Sequence, residues 1–150
     1  MAELRDLYQE VIVDHGRRPR NFGPLAHANH RAEGFNPLCG DRLTLYLQVA
    51  GGVIEAASFE GAGCAISTAS ASLMTEALKG KTPEQAETLI VGFHALVTGE
   101  GEVPASLGKL AVLGGVREFP ARVKCATLAW HTLHAALHDR SGSVSTEQQP

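Results

Sequence analysis

From Arg42 to Val49 polar and apolar residues alternate without a break, Leu43, Leu45, Leu47 and Val49 falling between Arg42, Thr44, Tyr46 and Gln48. Successive side chains of a strand point to opposite faces, so this run predicts a strand with one buried and one wet face. Gly51-Gly52 follows at once and suits a two-residue hairpin turn, and Val53 to Glu60 returns as the partner strand. Such a hairpin needs a cover for its apolar face.

The cover comes from residue 64 onward, where the apolar period turns helical. Ile66, Ala69, Leu73 and Ala77 form one helix face, and Gly80 follows as its terminating glycine. Thr82-Pro83-Glu84-Gln85 is a capping box with proline at the first helical position. The helix it starts carries Ala86, Leu89, Ile90 and Phe93 and stops by Gly99. Leu107 to Leu113 reads as a short helix before Gly114-Gly115. The last helix opens at Pro120 and runs to about Asp139, burying Val123, Ala126, Trp130, Leu133 and Leu137. Ahead of the hairpin, Leu4, Leu7, Tyr8, Val11 and Ile12 make an amphipathic helix that ends near His15 and is closed by Gly16 and Pro19. Gly23 to Gly34 reads as loop, leading into a short strand before Asn36-Pro37. Strands first and helices after predict an α+β fold, with the helices packed on one face of a small antiparallel sheet. A chain of 150 residues makes one domain, here 1–140, and the polar stretch 141–150 reads as a disordered tail.

A net charge of −3 and a pI near 6.1 give no basic face to recruit nucleic acid or an anionic membrane. No apolar stretch is long enough to span a bilayer, and the N-terminus lacks the basic start and apolar run of a signal peptide. The three cysteines cannot all pair with one another, so reduced thiols in a cytoplasmic protein are expected.

Those cysteines fall at element ends. Cys39 lies in the turn Asn36-Pro37-Leu38-Cys39-Gly40-Asp41, Cys64 lies where the hairpin ends and a helix begins, and Cys125 lies about one turn into the last helix. At such places side chains can converge on one point without being packed into the core. Asp41 stands two residues after Cys39 and in an extended segment points to the same side. Three thiolates and a carboxylate suit four-coordinate zinc, and thiolates also suit iron–sulfur clusters. Buried cysteines acting as small hydrophobes are the competing reading. A net negative site needs positive neighbours: the helix N-terminus stabilises a thiolate at Cys64, and Arg122 stands one turn before Cys125. Arg122 is also what an exposed arginine near a helix start would be.

Other features carry less. Gly61-Ala62-Gly63 completes neither the dinucleotide nor the P-loop pattern. His131, His134 and His138 share a helix face at metal-binding spacing, but solvent-exposed histidines favoured by the helix C-terminus are the preferred reading. His15 reads as a helix-end residue. Arg17, Arg18 and Arg20 form a basic cluster suited to docking an acidic partner.

Three segments make the pattern specific: Asn36-Pro37-Leu38-Cys39-Gly40-Asp41, Gly61-Ala62-Gly63-Cys64-Ala65-Ile66-Ser67, and the run from Pro120 to Trp130 around Lys124-Cys125-Ala126. They resemble the three cysteine motifs of the IscU/SufU (NifU N-terminal-like) family of iron–sulfur cluster assembly proteins. Leu7-Tyr8 through Asp14-His15 and Pro19-Arg20-Asn21 resemble that family's first helix, and the resemblance covers roughly residues 4–138. It implies a three-stranded antiparallel sheet in a SufE/NifU-like fold, with Cys39, Asp41, Cys64 and Cys125 as metal ligands. It also implies a cysteine desulfurase as partner. The scaffold branch, which assembles a [2Fe-2S] cluster from iron and sulfide and hands it to apo-proteins, usually has histidine before the third cysteine, where this chain has Lys124. The segment between Cys64 and Cys125 is long, as in SufU-type proteins. That branch is similar to a zinc-dependent acceptor of persulfide sulfur from a SufS-type desulfurase, serving a SufBCD-like complex or apo iron–sulfur proteins. Sulfur transfer is therefore the expected function, with Cys39 as acceptor, Asp41 and Arg122 assisting, and scaffolding as the alternative. A purely structural zinc module fits poorly, since the hairpin and helices are patterned to fold without metal.

Overall fold

The computed structural model describes residues 2–37, 40–101, 103–138 and 143–145. Three strands form the antiparallel sheet: β1 (His30–Asn36), β2 (Asp41–Ala50) and β3 (Val53–Ala62). Gly51 and Gly52 join β2 to β3 with φ of +61° and +81°, the left-handed pair that a tight hairpin requires. β1 starts inside the stretch read as loop. Its inward residues are Ala32, Gly34 and Asn36, too small or too polar to signal a strand. Gly34 is required there, because a Cβ would collide with Oγ1 of Thr132 packed above it. A fourth strand, β4 (Ser143–Ser145), runs parallel to β1 and gives the order β3-β2-β1-β4. Those three residues belong to the stretch expected to be a disordered tail, and the rest of it, 141–142 and 146–150, lies outside the described residues.

Helices cover one face of the sheet. α1 (Ala2–Arg17) packs on α2 (Ala65–Leu78), which lies on β3. α3 (Pro83–Thr98) packs against α4 (Pro120–Leu137), which lies on β1 and β2. The capping box forms as written, with Thr82 and Gln85 side chains each bonding the other's backbone N–H. Between α3 and α4 a 3-10 segment spans Ala105–Glu118, kinked at Gly108. It runs straight through Gly114-Gly115, longer than the expected short helix. α4 stops at Leu137, two residues earlier than expected.

Leu43, Leu45 and Leu47 of β2 and Ile54 and Phe59 of β3 meet Leu73, Met74, Trp130 and Leu133 in the core. Trp130 stacks on Phe93 with ring centroids 4.5 Å apart, and its Nε1 donates to Ser70 Oγ at 3.1 Å. Ser70 in turn donates to the Ala126 carbonyl, tying α2 to α4. Leu45 and Leu47 are fully buried, each contributing roughly 2 kcal/mol. A one-residue slip of β2 would expose both, so its register is firmly set. The same register carries Asp41 onto the core face.

Candidate metal centre

Asp41 is the first residue of β2 and falls on the same strand face as Leu43, Leu45 and Leu47, so its carboxylate is only 1% exposed. Cys64 is the N-cap of α2, with extended backbone, and its Sγ accepts the Ser67 N–H at 3.4 Å. Cys125 sits in the second turn of α4 and is 3% exposed. One ligand atom from each of the three lies within 4.8 Å of the other two. Cys64 is exposed, so the site opens to solvent on that side. Cys125 departs from the expectation that all three thiols avoid the core: Ala126 and Ala129 of the same helix are packed inward and carry it with them.

The buried carboxylate is held at both oxygens. Oδ1 accepts the Cys64 backbone N–H at 2.9 Å, and Oδ2 accepts from Asn36 Nδ2 at 3.4 Å. Asn36 Nδ2 also lies 3.7 Å from Cys125 Sγ, close enough to donate to it. The β1–β2 register sets Asn36 directly opposite Asp41. Residue types alone assigned Asn36 no role; its signal was its place in the Asn-Pro-Leu-Cys motif. Gly61-Ala62-Gly63 owes its glycines to this packing and not to a phosphate. A Cβ on Gly61 would run into the Arg42 carbonyl, and one on Gly63 would stand 2.8 Å from Asp41 Oδ1.

No described lysine, arginine or histidine forms an ion pair with Asp41. A buried carboxylate beside two thiols is costly unless a cation joins them, and this donor set suits zinc or another thiophilic metal. The residues present therefore fit a metal. Cys39 lies outside the described residues. Its flanks are in place: β1 ends at Asn36, β2 begins at Asp41, and the Gly40 N–H donates to the Asn36 carbonyl at 2.8 Å.

Arg122 is exposed, with its guanidinium 4.6 Å from the ring centre of Phe119. It lines a groove of about 760 Å³ with Ile12, Val13, Ile66, Val116 and Phe119. Arg17 and Arg18, with Glu10 and Asp14, line a second depression that shares Gln9 and Val13 with this groove, so three cationic side chains follow one side of α1 among the carboxylates of Glu10, Asp14 and Glu118. Arg20 is occupied otherwise: its guanidinium bonds Asp14 at 2.6 Å and holds that carboxyl below its usual range.

His15 stands in the last turn of α1 and His138 is exposed, as expected, whereas His131 and His134 are partly buried. His15 is buried, with Nδ1 2.7 Å from Ser72 Oγ, and burial, then the Arg20 charge, push its pKa down. His131 is half-buried and its pKa is pushed down to about 4, by burial first and then by His94 and His134. His134 and His138 face Glu87 of α3, a partner 47 and more residues away that no local pattern announces.

The model of the NifU-like N terminal domain family matches residues 7–146. The chain belongs to that family. The zinc-dependent sulfurtransferase SufU of Bacillus subtilis (strain 168) is 44% identical, over 94% of this chain and 96% of its own. The iron–sulfur cluster assembly scaffold protein IscU of Streptococcus pyogenes serotype M1 is 42% identical, over 91% and 86%. A crystal structure from Fervidobacterium islandicum AW-1, described as a candidate iron–sulfur cluster assembly scaffold for the SUF system, superposes with a TM-score of 0.83. It is 36% identical and covers 89% of this chain and 98% of its own. The α+β fold with helices on one face of an antiparallel sheet is that of the family. No helix among the described residues is long and apolar enough to cross a membrane.

Proposed function

We propose that this chain is a cytoplasmic sulfur acceptor of iron–sulfur cluster assembly, holding zinc with Cys39, Asp41, Cys64 and Cys125 and taking sulfur from a SufS-type cysteine desulfurase. The convergence of Asp41, Cys64 and Cys125 at a site open to solvent carries this reading. The SufU relative named a zinc-dependent sulfurtransferase, similar over nearly the whole of both chains, supports it.

Zinc bound there would keep the thiols deprotonated at neutral pH. The protein's own residues supply the rest. Asn36 and the Cys64 N–H fix the Asp41 carboxylate, and the Cys64 sulfur is tied to the first turn of α2. Cys125 is too buried to meet another protein's thiol without moving α4. Cys39, in the connection between β1 and β2, is the acceptor. Its thiolate attacks the outer sulfur of the desulfurase persulfide; the S–S bond to the desulfurase breaks, its cysteine leaves as a thiolate, and the sulfane sulfur remains on Cys39. No oxidant is consumed. Arg17, Arg18 and Arg122 line the approach and suit an acidic docking surface, and a SufBCD-like complex or apo iron–sulfur proteins would take the sulfur onward.

The second reading, a scaffold for a [2Fe-2S] cluster, is favoured by the IscU relative and by thiols that suit iron equally well. Purification without added iron, followed by elemental analysis, separates the two. Sulfur transfer predicts colourless protein holding zinc that Cys64→Ser and Cys125→Ser release. Iron with sulfide in the same protein would instead establish the scaffold.

A further inference from the structure

Far from the thiols, α3 and α4 bring a carboxylate and two imidazoles together. His134 stands in the last turn of α4 and His138 caps its end, with ring centres 4.4 Å apart. Glu87 reaches both from α3: its Oε1 is 3.3 Å from His134 Nδ1 and 3.1 Å from His138 Nε2. One ligand atom from each residue lies within 4.8 Å of the other two. Nitrogen and oxygen donors bound tetrahedrally to zinc at about 2.0 Å stand about 3.3 Å from one another. Both carboxylate–imidazole separations already match that edge.

Chemistry and exposure agree with the spacing. Paired histidines at i and i+4 on a helix are a recurrent zinc-binding arrangement. One carboxylate and two neutral imidazoles leave a dication with a net charge of about +1, far milder than an all-thiolate set. The side chains are 35%, 42% and 51% exposed for Glu87, His134 and His138, so water can complete the shell. At about 1.5 Å per residue along α4, these histidines lie roughly 14 to 20 Å from Cys125, too far to share its ion. We propose that Glu87, His134 and His138 form a second, thiol-free site for a zinc-class divalent cation, bridging α3 and α4. Imidazole donors favour zinc, nickel or copper over calcium and magnesium.

The test is equilibrium dialysis of the full, reduced chain against buffered zinc, with bound metal counted per chain. Wild type is expected to bind two equivalents, and a Cys64→Ser/Cys125→Ser chain to keep one. His134→Gln, His138→Gln and Glu87→Gln are each expected to weaken that remaining equivalent at least tenfold. Glu87→Gln changes a different helix with little change of shape, so its agreement with the histidine variants separates ligation from misfolding. Wild type saturating at one equivalent that the cysteine substitutions abolish would overturn the site. So would a second equivalent unaffected by Glu87→Gln and His138→Gln. Counting this equivalent without the thiols keeps its failure distinct from failure of the sulfur-acceptor reading.

Discussion

Asp41 owes its position to strand alternation: the pattern that buries Leu43, Leu45 and Leu47 also turns its carboxylate inward, where Asn36 and the Cys64 N–H fix it. Asp41→Ala removes one donor and opens the site to water, so zinc retention against a competing chelator is expected to fall at least tenfold. Asp41→Cys supplies another thiolate and should hold zinc more tightly while slowing sulfur uptake; faster uptake with looser zinc would contradict this. Gly63→Ala tests the same carboxylate from the other side. The added Cβ would stand 2.8 Å from Oδ1, so chelator resistance should drop although no ligand is lost. At this scale the sequence was informative where a residue lay in a pattern. Asp41 and Cys64 could be placed from alternation and from a helix start. Asn36 and Glu87 could not, because their roles come from partners across the sheet register and across two helices.

Among the elements, the hairpin and the capped helix α3 were the most legible, because each is specified by neighbouring residues. β1 was half missed, its inward side chains being kept small by Thr132 of α4, a contact that only the tertiary fold creates. The 3-10 segment was foreshortened because Gly114-Gly115 reads as a stop, whereas the chain packed on α3 and α4 carries on through it. It lends Val112 and Val116 to the groove beside α1, next to Arg122. Reversing Arg17 and Arg18 to glutamate is expected to weaken desulfurase binding and flatten its salt dependence, as measured by titration across ionic strength. Arg20→Glu should behave differently. It breaks the pair with Asp14, so a lowered melting temperature is its expected signature. Equal binding by the Arg17/Arg18 variant at every salt concentration would remove this face from the docking surface.

For the molecule as a whole, one buried and one half-buried histidine set an acid limit. His15, facing Arg20, Glu76, Asp14 and Lys109, and His131, facing His94 and His134, both have lowered pKa values in the folded state. The unfolded chain therefore binds protons that the folded chain refuses. Their contribution is complete above about pH 6.5 and is lost as pH falls, for His131 down to about 4. That shift is worth at most roughly 3 kcal/mol. Denaturant unfolding at pH 7 and pH 5 should show His131→Gln losing less stability on acidification than wild type; equal losses would contradict the assignment. The central claim is that the folded chain gathers its thiols into one sulfur-accepting site with Cys39 as acceptor. Peptide-resolved mass spectrometry after incubation with a cysteine desulfurase and cysteine tests it most directly. The account predicts a single added sulfur on the peptide containing Cys39, absent from the Cys39→Ser chain. Sulfur on Cys64 or Cys125 with Cys39 unmodified would contradict it.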